Sequence, residues 1–386
     1  MRLISIIFFL SINAFISGYS EIFLVGDKDK PELISPGQIV EGPDSNIYVY
    51  DEKDAYIKVF SPSGKLFRTI AGYGEGPGYI KRKDAVNFGF TTSECIYISE
   101  YFGGHRWISI LKKDGSFQEV VNPDLSNTMY GVEQIVALKS GSYIIEFSFL
   151  SFFKKRGNFF LHSSPQIIYH MDSKGHLLSK IKETNFLKRI SYFKRGADLG
   201  LPYTPSSIWT PYEKDTILFT DGMDNVFYIL DYKGKIMGHI NTELPVVPFI
   251  SDKDLKKWSR YVKNEMSKNQ SGKEWYKKFG KVIEDYRNPV YKKKPYIHSI
   301  DRTPAGNFLV SSQTEPGTNY RNFWLLNQEG KILSFSNVNI SEIQISSHYI
   351  FLKKRDADEN IMVYYLKRNK DEKIDLKRLF RILLSR

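Results

Sequence analysis

Five segments of this 386-residue chain repeat one pattern: an alternating apolar strand, a short polar turn closing on glycine, and a second strand. They are YIKVFSPSGKLFRTI (56–70), WISILKKDGSFQEVV (107–121), QIIYHMDSKGHLLSKI (166–181), VFYILDYKGKIMGHI (226–240) and NFWLLNQEGKILSFS (322–336). The turn glycines Gly64, Gly115, Gly175, Gly234 and Gly330 are separated by 51, 60, 59 and 96 residues, a regular unit with insertions. A hairpin built on a type I turn needs a residue at positive φ to rejoin the strand twist, and glycine has no side chain to obstruct it. Asp172, Asp231 and Asn327 each stand three residues before their glycine, where a side-chain oxygen can start the turn.

Another apolar strand precedes each hairpin: NIYVYD (46–51), CIYISE (95–100), SYIIEF (142–147), TILFTD (216–221) and NFLVSS (307–312). A weaker one lies before that, as in GQIV (37–40) and EQIVAL (133–138). The unit is therefore a four-stranded antiparallel meander, and radial repetition of such sheets makes a β-propeller. A sixth unit, 342–367, has three strands and no closing glycine hairpin. EIFLVG (21–26) supplies the missing strand, so the expected fold is all-β: a six-bladed β-propeller over 21–367, closed by its own N-terminal strand.

The glycine-rich stretch IAGYGEGPGYI (70–80) raises the question of a phosphate loop. Such a loop needs a helix N-terminus after it and a Lys or Ser/Thr placed for phosphate. Here Pro77 removes an amide donor, Glu75 adds a repulsive charge, and no helical period follows, so the stretch reads as the crossing from one blade to the next. This G-x-G-x-G-P-G connector (Gly72 to Gly78), following GKLFRTI and continued by Tyr79, resembles the six-bladed NHL-like or TolB-like propellers of exported bacterial proteins. KKKPYIHSIDRTPAGNFLV (292–310) is similar to that family's inner-strand pattern of proline, an apolar pair, Asp and then Gly before a strand. The resemblance covers about 21–367 and implies fold rather than activity.

Met1-Arg2 followed by the apolar run Leu3 to Ser17 and the small residues Gly18 and Ser20 is the pattern of a signal peptide over 1–20, cleaved near Ser20. The expected address is the periplasm or the cell surface. Cys95 is the single cysteine, so an intrachain disulfide is impossible, and a cysteine suited to lipid anchoring is missing from the end of the run.

Two segments fall outside the blades. Residues 251–289 read as two helices around 269–272, opened by a Ser251/Asp254 cap, with Leu255, Trp258, Val262 and Met266 at helical spacing, then Trp275 or Tyr276, Phe279, Val282 or Ile283, and Tyr286. A helical hairpin packed over one face of the ring is expected, within an insertion spanning 251–294. The tail, 368–386, reads as an amphipathic C-terminal helix with an apolar stripe (Leu376, Leu379, Phe380, Leu383, Leu384) and Lys/Arg elsewhere.

Residues 252–294 hold 14 Lys/Arg against 6 Asp/Glu, and 367–386 hold 8 against 3. The chain is +12, or +11 without Arg2, so the rest of the propeller is 11 − 13 = −2. An exported protein with such appendages suits a protein partner, an anionic glycan or a lipid surface better than nucleic acid; the tail reads as a helix docked against the propeller or, alternatively, as one making peripheral membrane or partner contact. Lys256, Lys257, Arg260, Lys277 and Lys278 are the candidate ligand-binding residues.

Histidines are scattered, without an H-x-x-x-H pair or a G-x-S-x-G elbow, and catalytic residues and a cofactor are not expected. The alternative is a metal-dependent hydrolase, lactonase or lyase, since some six-bladed propellers are calcium-dependent lactonases. Asn87, Glu133, His298 and Asp301, near the predicted inner strands, are its hub candidates, with calcium as the cofactor.

Overall fold

The computed structural model describes residues 22–24, 32–83, 86–100, 107–125, 130–149, 152–156, 159–192, 197–200, 204–268, 270–284, 291–314, 320–338, 342–346, 348–355 and 361–367. The predicted signal peptide and the predicted C-terminal helix lie outside the described residues.

Strand β1 (Ile22–Leu24) belongs to the last blade. Blade 1 is β2 (Pro36–Glu41), β3 (Ile47–Asp51), β4 (Tyr56–Phe60) and β5 (Leu66–Ile70). Blade 2 is β6 (Val86–Phe90), β7 (Ile96–Glu100), β8 (Ile108–Leu111) and β9 (Phe117–Val121). Blade 3 is built on β10 (Tyr130–Ala137), β11 (Tyr143–Phe149), β13 (Phe159–Met171) and β14 (Leu177–Tyr192), extended by β12 (Phe152–Arg156) and β15 (Ala197–Gly200). Blade 4 is β16 (Ile208–Pro211), β17 (Thr216–Thr220), β18 (Val226–Asp231) and β19 (Ile236–Asn241). Helices α1 (Asp252–Met266) and α2 (Gln270–Glu284) follow, then blade 5: β20 (Ile297–Arg302), β21 (Phe308–Ser312), β22 (Arg321–Leu326) and β23 (Ile332–Val338). Blade 6 is β24 (Glu342–Ile345), β25 (Tyr349–Arg355), β26 (Ile361–Lys367) and β1. The protein is a six-bladed β-propeller, and β1 closes it in antiparallel register: Ile22 opposite Leu366, Phe23 opposite Tyr365, Leu24 opposite Tyr364.

Burial follows position in the blade. The second strands β3 and β7 are buried on both faces, whereas the outer strand β23 alternates between exposed and half-buried residues. Apolar clusters form between neighbouring blades. Tyr50 and Ile57 meet Phe88 and Ile96, Ile144 meets Trp209, Phe227 meets Phe308, and Ile39 of blade 1 meets Phe351 of blade 6.

All five turn glycines have positive φ, between 82° and 98°. Asp172, Asp231 and Asn327 accept from the amides two and four residues on, as their positions in the turn required. A second demand on the glycines is absent from the local pattern. A Cβ on Gly175 would lie 2.1 Å from the Asn122 carbonyl oxygen, on Gly234 2.4 Å from that of Ile181, and on Gly330 2.6 Å from that of Asn241. Each turn presses on the end of the preceding blade's outer strand, so glycine sets the spacing between blades as well as the turn.

The glycine-rich connector is a corner. Ile80 is buried and donates its amide to the Gly72 carbonyl at 2.7 Å, while Gly74 donates to the Ile80 carbonyl and Tyr79 to that of Gly76. The Gly78 amide goes to Ser109 Oγ, and those of Lys81 and Arg82 to Glu100 Oε1. Those amides are spent inside the protein rather than on a phosphate.

An acidic residue ending the second strand fastens the incoming connector in two blades. Glu100 does so in blade 2, and in blade 1 Asp51 accepts from the amides of Ile34 and Ser35. Asp51 is fully buried with Lys58, whose Nζ is 2.8 Å from it and 2.6 Å from Asp54. Desolvation raises the Asp51 pKa, but the Lys58 ammonium and the two amides outweigh it and hold the carboxyl below its ordinary range.

Candidate functional site

In an antiparallel meander, the first-to-second and third-to-fourth strand turns share one end, and the second-to-third turns share the other with the links between blades. The turn end is uniformly short. The other end carries two large additions.

The first is the helical hairpin. Ser251 and Asp254 form the expected reciprocal cap on α1. The hairpin stands on a two-stranded stalk in which Ile250 donates to the Lys292 carbonyl and Lys294 to that of Pro248. Lys294 Nζ lies 2.5 Å from Asp254 Oδ1. Trp258 and Val262 are buried against Met266, Trp275 and Tyr276, so this aromatic stripe joins the two helices to each other. Lys256, Arg260 and Lys277 are exposed, Lys257 is half-buried, and the side chains of Lys278 and Phe279 lie outside the described residues.

The second addition escaped the sequence reading. Strands β13 and β14 run on past the blade, and their outer halves pair with β12 and β15 to form a small sheet. Residues 152–162 and 186–200 of this arm hold seven Lys/Arg against one Asp. Removing that +6 from the −2 of the propeller leaves −2 − 6 = −8 for the remaining blades, so the near-neutral ring was an average over two unlike parts. Phe186 at the arm's base lies edge-on to Tyr291 at the hairpin's exit, ring centroids 6.4 Å apart. The two additions meet on one face.

The hub residues fall in two places. Asn87 Nδ2 donates to the carbonyls of Val132 and Glu133, both at 3.1 Å. Gln38, at the equivalent register position of blade 1, exchanges two 2.9 Å bonds with the backbone of Phe88. Both amides stitch an inner strand to the next one. Glu133 and His298 occupy β-bulges in blades 3 and 5, where the register shifts between Val132 and Gln134 and between Ile297 and Ser299, and the inner strand of blade 1 shifts likewise between Pro36 and Ile39. Bulges re-aim side chains and recur beside functional sites. Asp301, half-buried, follows on β20. Asn87 and Glu133 come from the neighbouring blades 2 and 3, and His298 and Asp301 from blade 5. Among the described residues, no three His, Cys, Asp or Glu side chains are grouped to hold a metal ion.

At the turn end, a cleft of about 700 Å³ opens across blades 3, 4 and 5. Its walls come from the turns 138–140 and 211–215, with Tyr232 on one side and Arg302 on the other. The Arg302 guanidinium sits 5.0 Å from the Tyr212 ring centre. The Tyr232 ring lies 4.7 Å from His170, whose Nε2 is 3.0 Å from Ser142 Oγ. Desolvation lowers the His170 pKa and raises those of both tyrosines, helped by Glu213 at Tyr212 and Asp215 at Tyr232, so both phenols stay protonated.

A six-bladed propeller with both faces elaborated or cleft defines the class of protein. No family model matches the chain, and no curated protein matches it. Among solved structures it is similar to a candidate exported protein of Bacteroides fragilis, at 13% identity and a TM-score of 0.53, covering 91% of this chain and 95% of that one. It is also similar to a member of the DUF4221 family from Bacteroides vulgatus (10% identity, TM-score 0.48, 91% and 97% covered). Virginiamycin B lyase from Staphylococcus aureus matches at 10% identity and a TM-score of 0.44, with 90% and 99% covered. Identities this low speak to fold alone.

Proposed function

We propose that the protein is an exported binding module that captures an anionic ligand, an acidic glycan above all, on the face carrying the hairpin and the arm. The observation that carries this reading is the convergence of two basic insertions on one face of a ring whose remaining blades are acidic. Neither insertion is needed to close a blade. A cationic patch above an acidic body steers anions to one face and gives binding that weakens with salt. No helix among the described residues is long and apolar enough to cross a membrane.

The test is replacement of Lys256, Lys257, Arg260, Lys277 and Lys278 by Glu, which changes the charge by about ten units at a largely exposed surface with little cost to folding. Binding to an array of acidic and neutral polysaccharides, and to anionic vesicles, is measured at low and physiological salt. Acidic polysaccharide retained by the parent and lost by the variant supports the reading. Salt-insensitive binding, or equal binding by the variant, overturns it.

A hub-centred hydrolase or lyase is the second reading, favoured by the paired bulges at Glu133 and His298. Stoichiometric calcium that survives dialysis of purified protein, lost on Glu133→Gln, would move the assignment to it.

A further inference from the structure

The turn-end cleft lies on the opposite face from both insertions, and we propose that it is a second binding site, taking a small monoanionic carboxylate that carries a flat or saturated ring. Its volume falls in the range of small-molecule pockets. Three blades build it, so the blade packing that holds the ring also fixes its walls. Arg302 is half-buried, and its guanidinium lies 5.0 Å from the centre of the Tyr212 ring, which in turn packs against Phe308 at 5.9 Å between ring centres. Among the described residues no carboxylate lies within ion-pair distance of Arg302, Lys139 or Lys214. A guanidinium carries its donors in a planar fork, which can grip a carboxylate with two parallel bonds.

The remaining walls narrow the class. Tyr212 and Tyr232 offer protonated phenols as donors and apolar ring carbon beside the guanidinium. Glu213 and Asp215 share the rim with Lys139 and Lys214, which leaves the lining at 3 − 2 = +1. That balance suits one negative charge; a phosphate dianion would be repelled by the two carboxylates. A ring with a single carboxylate and neutral hydroxyls or carbons fills the description.

Ligand-observed NMR on the full chain tests it with two carboxylates, glucuronate and phenylacetate, against their neutral counterparts glucose and phenylacetamide. At least one carboxylate should bind in the millimolar range or tighter and its neutral counterpart should not; which carboxylate wins tells a saturated ring from an aromatic one. Arg302→Met should weaken that binding about tenfold or more, the loss of a charge-assisted pair. Arg302→Lys keeps the charge without the fork and should fall between the two, which preserves the test if Arg302→Met does not fold. The five-Glu hairpin variant should bind the carboxylate as the parent does, which separates this site from the anionic-ligand face. Neutral and charged probes binding alike, neither carboxylate binding, or an Arg302→Lys variant equal to the parent would overturn the assignment.

Discussion

Gly234→Ala and Gly141→Ala differ in one respect that the structure isolates. Both glycines hold nearly the same backbone angle, φ +82° and +84°. An alanine at either pays the left-handed strain of an L residue, about 1 kcal/mol. At Gly141 nothing lies within 4 Å of the added Cβ. At Gly234 the methyl would stand 2.4 Å from the Ile181 carbonyl oxygen, 3.2 Å from its carbon and 3.3 Å from the Lys180 carbonyl oxygen. Those atoms are backbone in the preceding blade's outer strand, so relief requires one blade to move off the other, at about 1–3 kcal/mol for an overpacked contact. Gly141→Ala should therefore cost about 1 kcal/mol and Gly234→Ala about 2–4 kcal/mol. Urea unfolding followed by tryptophan fluorescence reads both as midpoint shifts at constant slope. Equal losses in the two variants would refute the claim that the turn glycines set the spacing between blades.

Deleting Ile22 to Leu24 should leave β26 as an open edge, lower the melting temperature sharply and promote aggregation; a deletion that melts like the parent would contradict the closure. Asp51→Ala strips Lys58 of one of its two carboxylates and should cost about 3–5 kcal/mol in the same denaturation assay. Because the folded Asp51 pKa is depressed, its stabilisation is full above about pH 4 and is lost as the pH falls further through the folded value, and acid unfolding of the Ala variant should lack that component. Asn87→Ala should cost about 1–3 kcal/mol through the two carbonyls it abandons, and leave any bound calcium unchanged. Loss of calcium without loss of stability would instead make Asn87 a ligand.

The blades were legible because their signals are local: a two-residue alternation, a glycine at fixed phase, an Asp or Asn three residues ahead of it. The equivalent left-handed position in the first hairpin of each blade was harder to see. It is Gly141 and Gly306 in two blades but Ser45, Glu94 and Asp215 in three others, so no single residue type marks it. The arm of blade 3 was missed for a different reason. FLKRISY is β-prone, but it lengthens a strand already assigned, and lengthening leaves no turn signal between blade and extension; FFKKR forms a separate short strand, β12, that no glycine turn announces. The cleft was beyond reach, since it joins Lys139, Tyr212, Tyr232 and Arg302 from three repeats through blade geometry alone. Asn87 was correctly placed on an inner strand; its bonding to the next strand depends on a neighbour 45 residues away.

Closure by β1 has a kinetic consequence. Ile22 and Leu366 are 366 − 22 = 344 positions apart, and joining such ends in an unstructured chain costs about 5 kcal/mol by the logarithmic loop law. Five blades stacking in succession shorten that search, yet the last pairing still waits for β26. Strand β1 must remain uncommitted until β26 is in place. The folding chain therefore passes through an open crescent with a bare strand at its end, and ring closure should be the last and slowest phase of its refolding.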